Sequence, residues 1–178
     1  MLVRQPDGAY APAPLVGLPG TVAEQPCLKY NNFWCLKGTQ WRGQTKVGTH
    51  RLAVFADPAD AARAFAITLQ AYRFKHGLST PTQIMSRFIL NPGCLKGGRS
   101  KAGCASMWKL VDRHAGRLAG ALGIGPHEDT GVFVDRTRVN IERARILFRE
   151  VAHIEIGTTL RVRDSVTDEG LTRAGISW

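Results

Sequence analysis

The sequence predicts a mainly α fold of about five helices, with one small strand or hairpin region and an extended arm at the N-terminus. Three observations carry this expectation. A capping residue followed by proline, a frequent opening of a helix, occurs at Asp57–Pro58 and again at Thr80–Pro81. Beyond those starts, apolar residues return at three- and four-residue intervals. Residues 1–26, by contrast, hold Pro6, Pro12, Pro14, Pro19 and Pro26 with Gly8, Gly17 and Gly20, a density that excludes a helix. With 178 residues, 44% of them apolar, the chain has material for one core. The expected organisation is an arm over 1–26 and one domain over 27–178.

Taken in order, the arm should be extended or polyproline-like. It cannot bury its apolar side chains by itself, so it is either a free flexible leader or an assembly element whose Tyr10, Leu15, Val16 and Leu18 meet a partner surface. Trp41–Val47 and Arg51–Phe55, separated by Gly48, Thr49 and His50, read as a hairpin or two extended strands. From Asp57 a helix should carry Ala62, Phe65, Ala66, Leu69 and Tyr72 on one stripe and stop at Gly77. From Thr80 a shorter helix should bury Ile84 and Phe88 and be terminated by Asn91, Pro92 and Gly93. Cys94–Gly103 then reads as a loop rich in glycine and lysine. A third helix is expected over Cys104–Leu122, with Met107, Val111, Leu118 and Leu122 on one face, Gly123 as its stop, and Gly116 and Gly120 weakening it. After a Gly125–Gly131 loop, Asp135 should cap a helix running to Glu155 with Ile141, Ala144, Leu147, Phe148, Val151 and Ile154 inward. Asp164 should cap the last helix, which closes at Gly175.

The formal charge of +10 points to an anionic partner: nucleic acid, acidic protein, anionic lipid or bacterial wall. Its distribution is uneven, because no Asp or Glu occurs between Ala61 and Val111 while Arg87, Lys96, Arg99, Lys101 and Lys109 all do. These five are the candidate contacts for nucleic acid or an acidic partner. Apolar runs are far shorter than the roughly 20 residues of a membrane span, so none is expected. Cys27, Cys35, Cys94 and Cys104 form no spacing of a common zinc module, and neither metal nor cofactor is expected. Whether they are thiols or disulfides is open at this level, as are the three possible pairings.

Several residues recur in an order that carries a resemblance. Asn31 and Asn32 are followed by Trp41 with Gly43; then come Phe55 and Pro58, Arg63 and Ala64, Tyr72, Gly77 with Leu78, Thr80, Ile84 and Arg87. Near the end stand Glu155 with Gly157, and Gly170 with Ala174 and Gly175. Over residues 30–176 this pattern resembles the small lysozyme-like virion or structural proteins of phages and prophages. Two departures are clear. Phe33, Trp34, Cys35, Leu36 and Lys37 stand where that family continues Pro-Gly-Asn-Ile-Arg, and Phe88 to Cys94 brings no acid where the family runs from Trp-Ala-Pro to Glu-Asn.

The resemblance implies a lysozyme-like domain in a phage particle assembled in the host cytoplasm, present in several copies and touching other virion proteins. It also raises peptidoglycan as a substrate, for a muramidase or lytic transglycosylase. Glycosidic cleavage needs a carboxyl group to protonate the leaving oxygen. Between Gln25 and Val111 only Asp57 and Asp60 are acidic, and both belong to the first turn of a helix. Glu155 remains as the one candidate acid. The expectation is therefore a non-catalytic structural or assembly protein whose basic middle meets other virion subunits or, without sequence readout, packaged DNA; a wall-degrading enzyme is the alternative.

Overall fold

The computed structural model describes residues 2–4, 10–12, 26–158 and 160–178, which form a mainly helical α+β fold. The helices among them are α1 (Pro26–Lys29), α2 (Pro58–His76), α3 (Pro81–Ile89), α4 (Pro92–Gly97), α5 (Ala105–Leu122), α6 (Ile141–Ile156) and α7 (Asp164–Arg173). Strands β3 (Gln44–Val47) and β4 (Ala53–Phe55) pair antiparallel. In a second sheet β1 (Leu2–Arg4) lies between β2 (Tyr10–Pro12) and β5 (Leu160–Arg161), antiparallel to both. The described part of the arm is thus extended, as expected, and pairs with the chain's own β5. Leu15, Val16 and Leu18 lie outside the described residues.

Local chemistry accounts for most of the helix boundaries. Asp57 accepts a hydrogen bond from the Ala59 amide at 2.9 Å with Pro58 in the first turn, and Gly77 closes α2 in the left-handed region at φ 67°. Thr80 and Gln83 make a reciprocal capping box at the start of α3. Gly123, at φ 66°, ends α5. Gly116 and Gly120 stand on the exposed side of that helix, where the missing side chain costs no packing.

Four expectations need correction. Among the described residues there are seven α-helices rather than about five, the additional two being α1 and α4. The loop expected from Cys94 begins inside α4: the Asn91 side chain accepts from the Cys94 amide at 2.8 Å with Pro92 behind it, so the residues that stop α3 also start the next helix. The cap of α6 is Asn140, which accepts from the Arg143 amide at 3.1 Å. Asp135 instead closes a turn, accepting from the Thr137 amide at 2.8 Å and from Arg138. Asp164 is the first residue of α7, not its cap. It pairs with Arg149 of α6 at 3.1 Å.

The core centres on three rings. Trp34 stacks on Phe65 of α2 at 5.1 Å between centroids, and both meet the edge of Phe148 of α6, at 5.4 and 4.7 Å. The Trp34 indole N–H donates to the Phe148 carbonyl at 2.9 Å. The Asn32 side chain is wholly buried and fully used: it donates to the carbonyls of Leu36 and Ala53 and accepts from the Leu36 amide. Asn31, at φ 50°, donates to the carbonyls of Phe55 and Ala56. The paired asparagines therefore lock the segment before β3 onto β4. Disulfides join Cys27 to Cys35 and Cys94 to Cys104, resolving the pairing that spacing left open.

Candidate functional site

The last turns of α2 and α3, together with α4, enclose a cleft of about 340 Å³ lined by Tyr72, His76, Arg87, Leu90, Pro92, Leu95 and Lys96. Each wall follows from a local cause. Leu90 leaves α3 in extended conformation, its amide still bonded to the Ser86 carbonyl, and Asn91 starts α4 at once. That tight joint brings Arg87, in the last turn of α3, and Lys96, in the last turn of α4, to the same cleft. The Cys94–Cys104 bridge, with its Cα atoms 5.5 Å apart, holds α4 to the start of α5. Tyr72 meets the Phe88 ring edge-on at 6.0 Å, and burial pushes its hydroxyl above the ordinary tyrosine pKa. Arg87, Lys96 and His76 are exposed around a floor formed by buried Leu90 and half-buried Leu95. No carboxylate lines the cleft.

Of the five basic residues the sequence singles out, the structure brings Arg87 and Lys96 together and disperses the others. Arg99 makes a bidentate pair with Asp112, at 2.7 and 2.6 Å, and lies 4.6 Å over the Trp108 ring. Hydrogen bonding to Arg99 holds the Asp112 carboxyl below the usual range. Lys101 donates to the Gly93 carbonyl at 3.3 Å. Lys109 is exposed on α5 and has no partner among the described residues. Arg73 pairs with Asp129. Acids from beyond the acid-free stretch thus fold back onto it, which a linear charge map cannot reveal. His76 and the apolar floor were missed as members of the site, although Tyr72 and His76 stand four apart on one helix, a spacing that shares a face.

Three tryptophans are engaged within the fold. Trp34 is in the core, the Trp41 indole donates to the Lys37 carbonyl at 2.9 Å, and Trp108 lies under Arg99.

Glu155 stands in the last turn of α6, half-buried. Burial pushes its carboxyl above the usual range, with the Lys37 ammonium pulling the other way. Every other described carboxylate except Glu128 is committed to an ion pair: Arg173 alone gathers Asp57, Asp60 and Glu169, and Arg145 holds Glu142 and Asp168. Between α5 and α6, Arg117 lies 2.6 Å from Glu150 and 2.8 Å from Nδ1 of buried His153. Burial raises the Glu150 carboxyl, but His153 and Arg117 lower it by more, leaving it below the usual range. That cluster joins α5 and α6.

Among the described residues, no group of His, Cys, Asp or Glu is arranged to hold a metal ion. No helix among them is long and apolar enough to cross a membrane. No protein-family model matches the chain, and no curated protein matches it as a relative.

Proposed function

We propose that the chain is a structural or assembly protein of a phage particle, built on a lysozyme-like domain and acting by docking rather than by catalysis. It meets other virion subunits through its basic surface. The observation that carries this reading is the way charge is spent: arginines neutralise nearly every described carboxylate, while Arg87, Lys96 and Lys109 remain exposed without a partner among the described residues. Such a molecule offers positive charge to a partner, and among the described residues only Glu128 and Glu155 keep a side-chain carboxyl outside an ion pair. The two disulfides fit a particle that persists in oxidising surroundings after release.

The direct test is composition. Washed particles from a producing host, quantified by mass spectrometry, should contain the chain at a fixed copy number. Its absence from the particles overturns the reading.

One observation favours the enzymatic alternative, a peptidoglycan-degrading muramidase or transglycosylase. A carboxyl raised by burial is what a general acid requires, and Glu155 has one at the position where the resemblance also places a glutamate. Turbidity loss of cell-wall suspensions that disappears in Glu155→Gln would establish that alternative; no turbidity loss with either protein is expected.

A further inference from the structure

We propose that the cleft between α2, α3 and α4 docks an acidic peptide segment of a partner protein, one that carries aliphatic side chains beside its carboxylates. The inference rests on the docking reading above and names the kind of partner. Its basis is the combination of two chemistries in one cavity. Exposed Arg87, Lys96 and His76 line the cleft with no acid among its lining residues, and buried Leu90 and half-buried Leu95 form an aliphatic floor. A guanidinium presents parallel N–H donors that match a carboxylate fork, and an ammonium in the same cleft holds a second acidic group without demanding one orientation. Leu90 and Leu95 reward an aliphatic side chain placed between them. The volume of about 340 Å³ accepts one or two side chains but not a helix.

A nucleic-acid backbone fits this surface less well. Binding a phosphate track needs cations continuing along the surface, yet the neighbouring Arg99 is closed by Asp112 and Lys101 is turned onto the Gly93 carbonyl. Single-stranded bases need an open aromatic face. Tyr72 is the aromatic residue of the cleft, and its ring is packed against Phe88.

The experiment titrates the oxidised full-length protein with a fluorescent peptide of alternating Leu and Glu, its Leu and Gln counterpart, and a 12-nucleotide oligothymidine. The acidic peptide is expected to bind. Arg87→Ala and Lys96→Ala should each weaken it about three- to tenfold, Leu95→Ser should weaken it as well, and Lys46→Ala, exposed on β3 away from the cleft, should leave it unchanged. Circular dichroism checks that each variant folds. Equal binding of the Gln peptide, binding indifferent to Arg87 and Lys96, or tighter and cleft-dependent binding of the oligonucleotide would each overturn the proposal. The particle composition measured for the proposed function is independent of this result: a chain present in particles but blind to the acidic peptide loses the cleft and keeps the structural role.

Discussion

Gly170 of α7 faces α2 so closely that a Cβ built on it would stand 2.8 Å from the Ala62 carbonyl carbon and 2.9 Å from the Arg63 amide nitrogen. Both obstacles are backbone and cannot turn aside. Gly170→Ala is therefore expected to force the two helices apart and destabilise the fold by about 1–3 kcal/mol, read from urea unfolding; an unchanged midpoint would show that the helices slide without cost. Glu155 gives a prediction of opposite sign. Its folded carboxyl titrates above its unfolded value, so its favourable contribution is complete below the unfolded pKa and is lost as pH rises through the folded one. Glu155→Gln should accordingly be more stable than the parent at neutral pH, with the advantage shrinking towards pH 4. A variant that is less stable at pH 7 would mean that the ionised carboxylate makes a favourable contact in the fold.

At the scale of elements, α4 is a six-residue helix that owes its place to Asn91, Pro92 and the Cys94–Cys104 bridge. Helices this short do not persist alone in water. Replacing both cysteines with serine removes a loop closure worth about 2–3 kcal/mol in the chain-entropy account. It should also raise amide exchange over Asn91–Gly103 while the protection of α2 and α6 holds. Exchange that rises everywhere would mean that the bridge supports the whole core rather than α4. Elements with local signals are the ones legible in the sequence. Asp57–Pro58 and Thr80–Pro81 name their helices because cap and first turn are neighbours in the chain. Asp135 misled because an aspartate caps a turn as readily as a helix, and the choice fell to the Phe133–Val139 bridge that ends just before Asn140.

At the scale of the whole molecule, arginine–carboxylate pairs join elements far apart in sequence: Arg173 ties α7 to the start of α2, Arg145 ties α6 to α7, and Arg117 ties α5 to α6. Hydrogen bonds and positive charge keep Asp57, Asp112, Asp129 and Glu150 below their ordinary values and bring Asp135 down to about 2. For a lowered carboxyl, stability is present above the unfolded pKa and lost as pH falls through the folded one. His114, lowered by burial and by Arg117 and Arg113, adds a loss of the same sign at a higher pH, starting below its ordinary 6.5. Thermal melts should therefore show a mild decline from about pH 6.5 and a steep one below about pH 4. Salt should weaken the exposed pairs among them. A melting temperature that climbs on acidification would contradict this account.

Legible in the residue order alone are the mainly helical class, the start of α2 and of α3, the extended conformation of the described parts of the arm, and an acid-free basic stretch. All of these depend on neighbouring residues, through steric limits, capping and periodicity. Only the tertiary structure decided which charges remain available. Asp112 and Asp129 neutralise Arg99 and Arg73 across the fold, Lys101 donates to the Gly93 carbonyl, and Arg87 and Lys96 are left lining one cleft with Leu90 and Leu95. It likewise assigned Asn31 and Asn32 to holding a loop on β4, and Gly170 to a helix contact. The physical reason is that charge pairing and burial act through space, at distances of a few ångströms between residues that the chain separates by tens of positions.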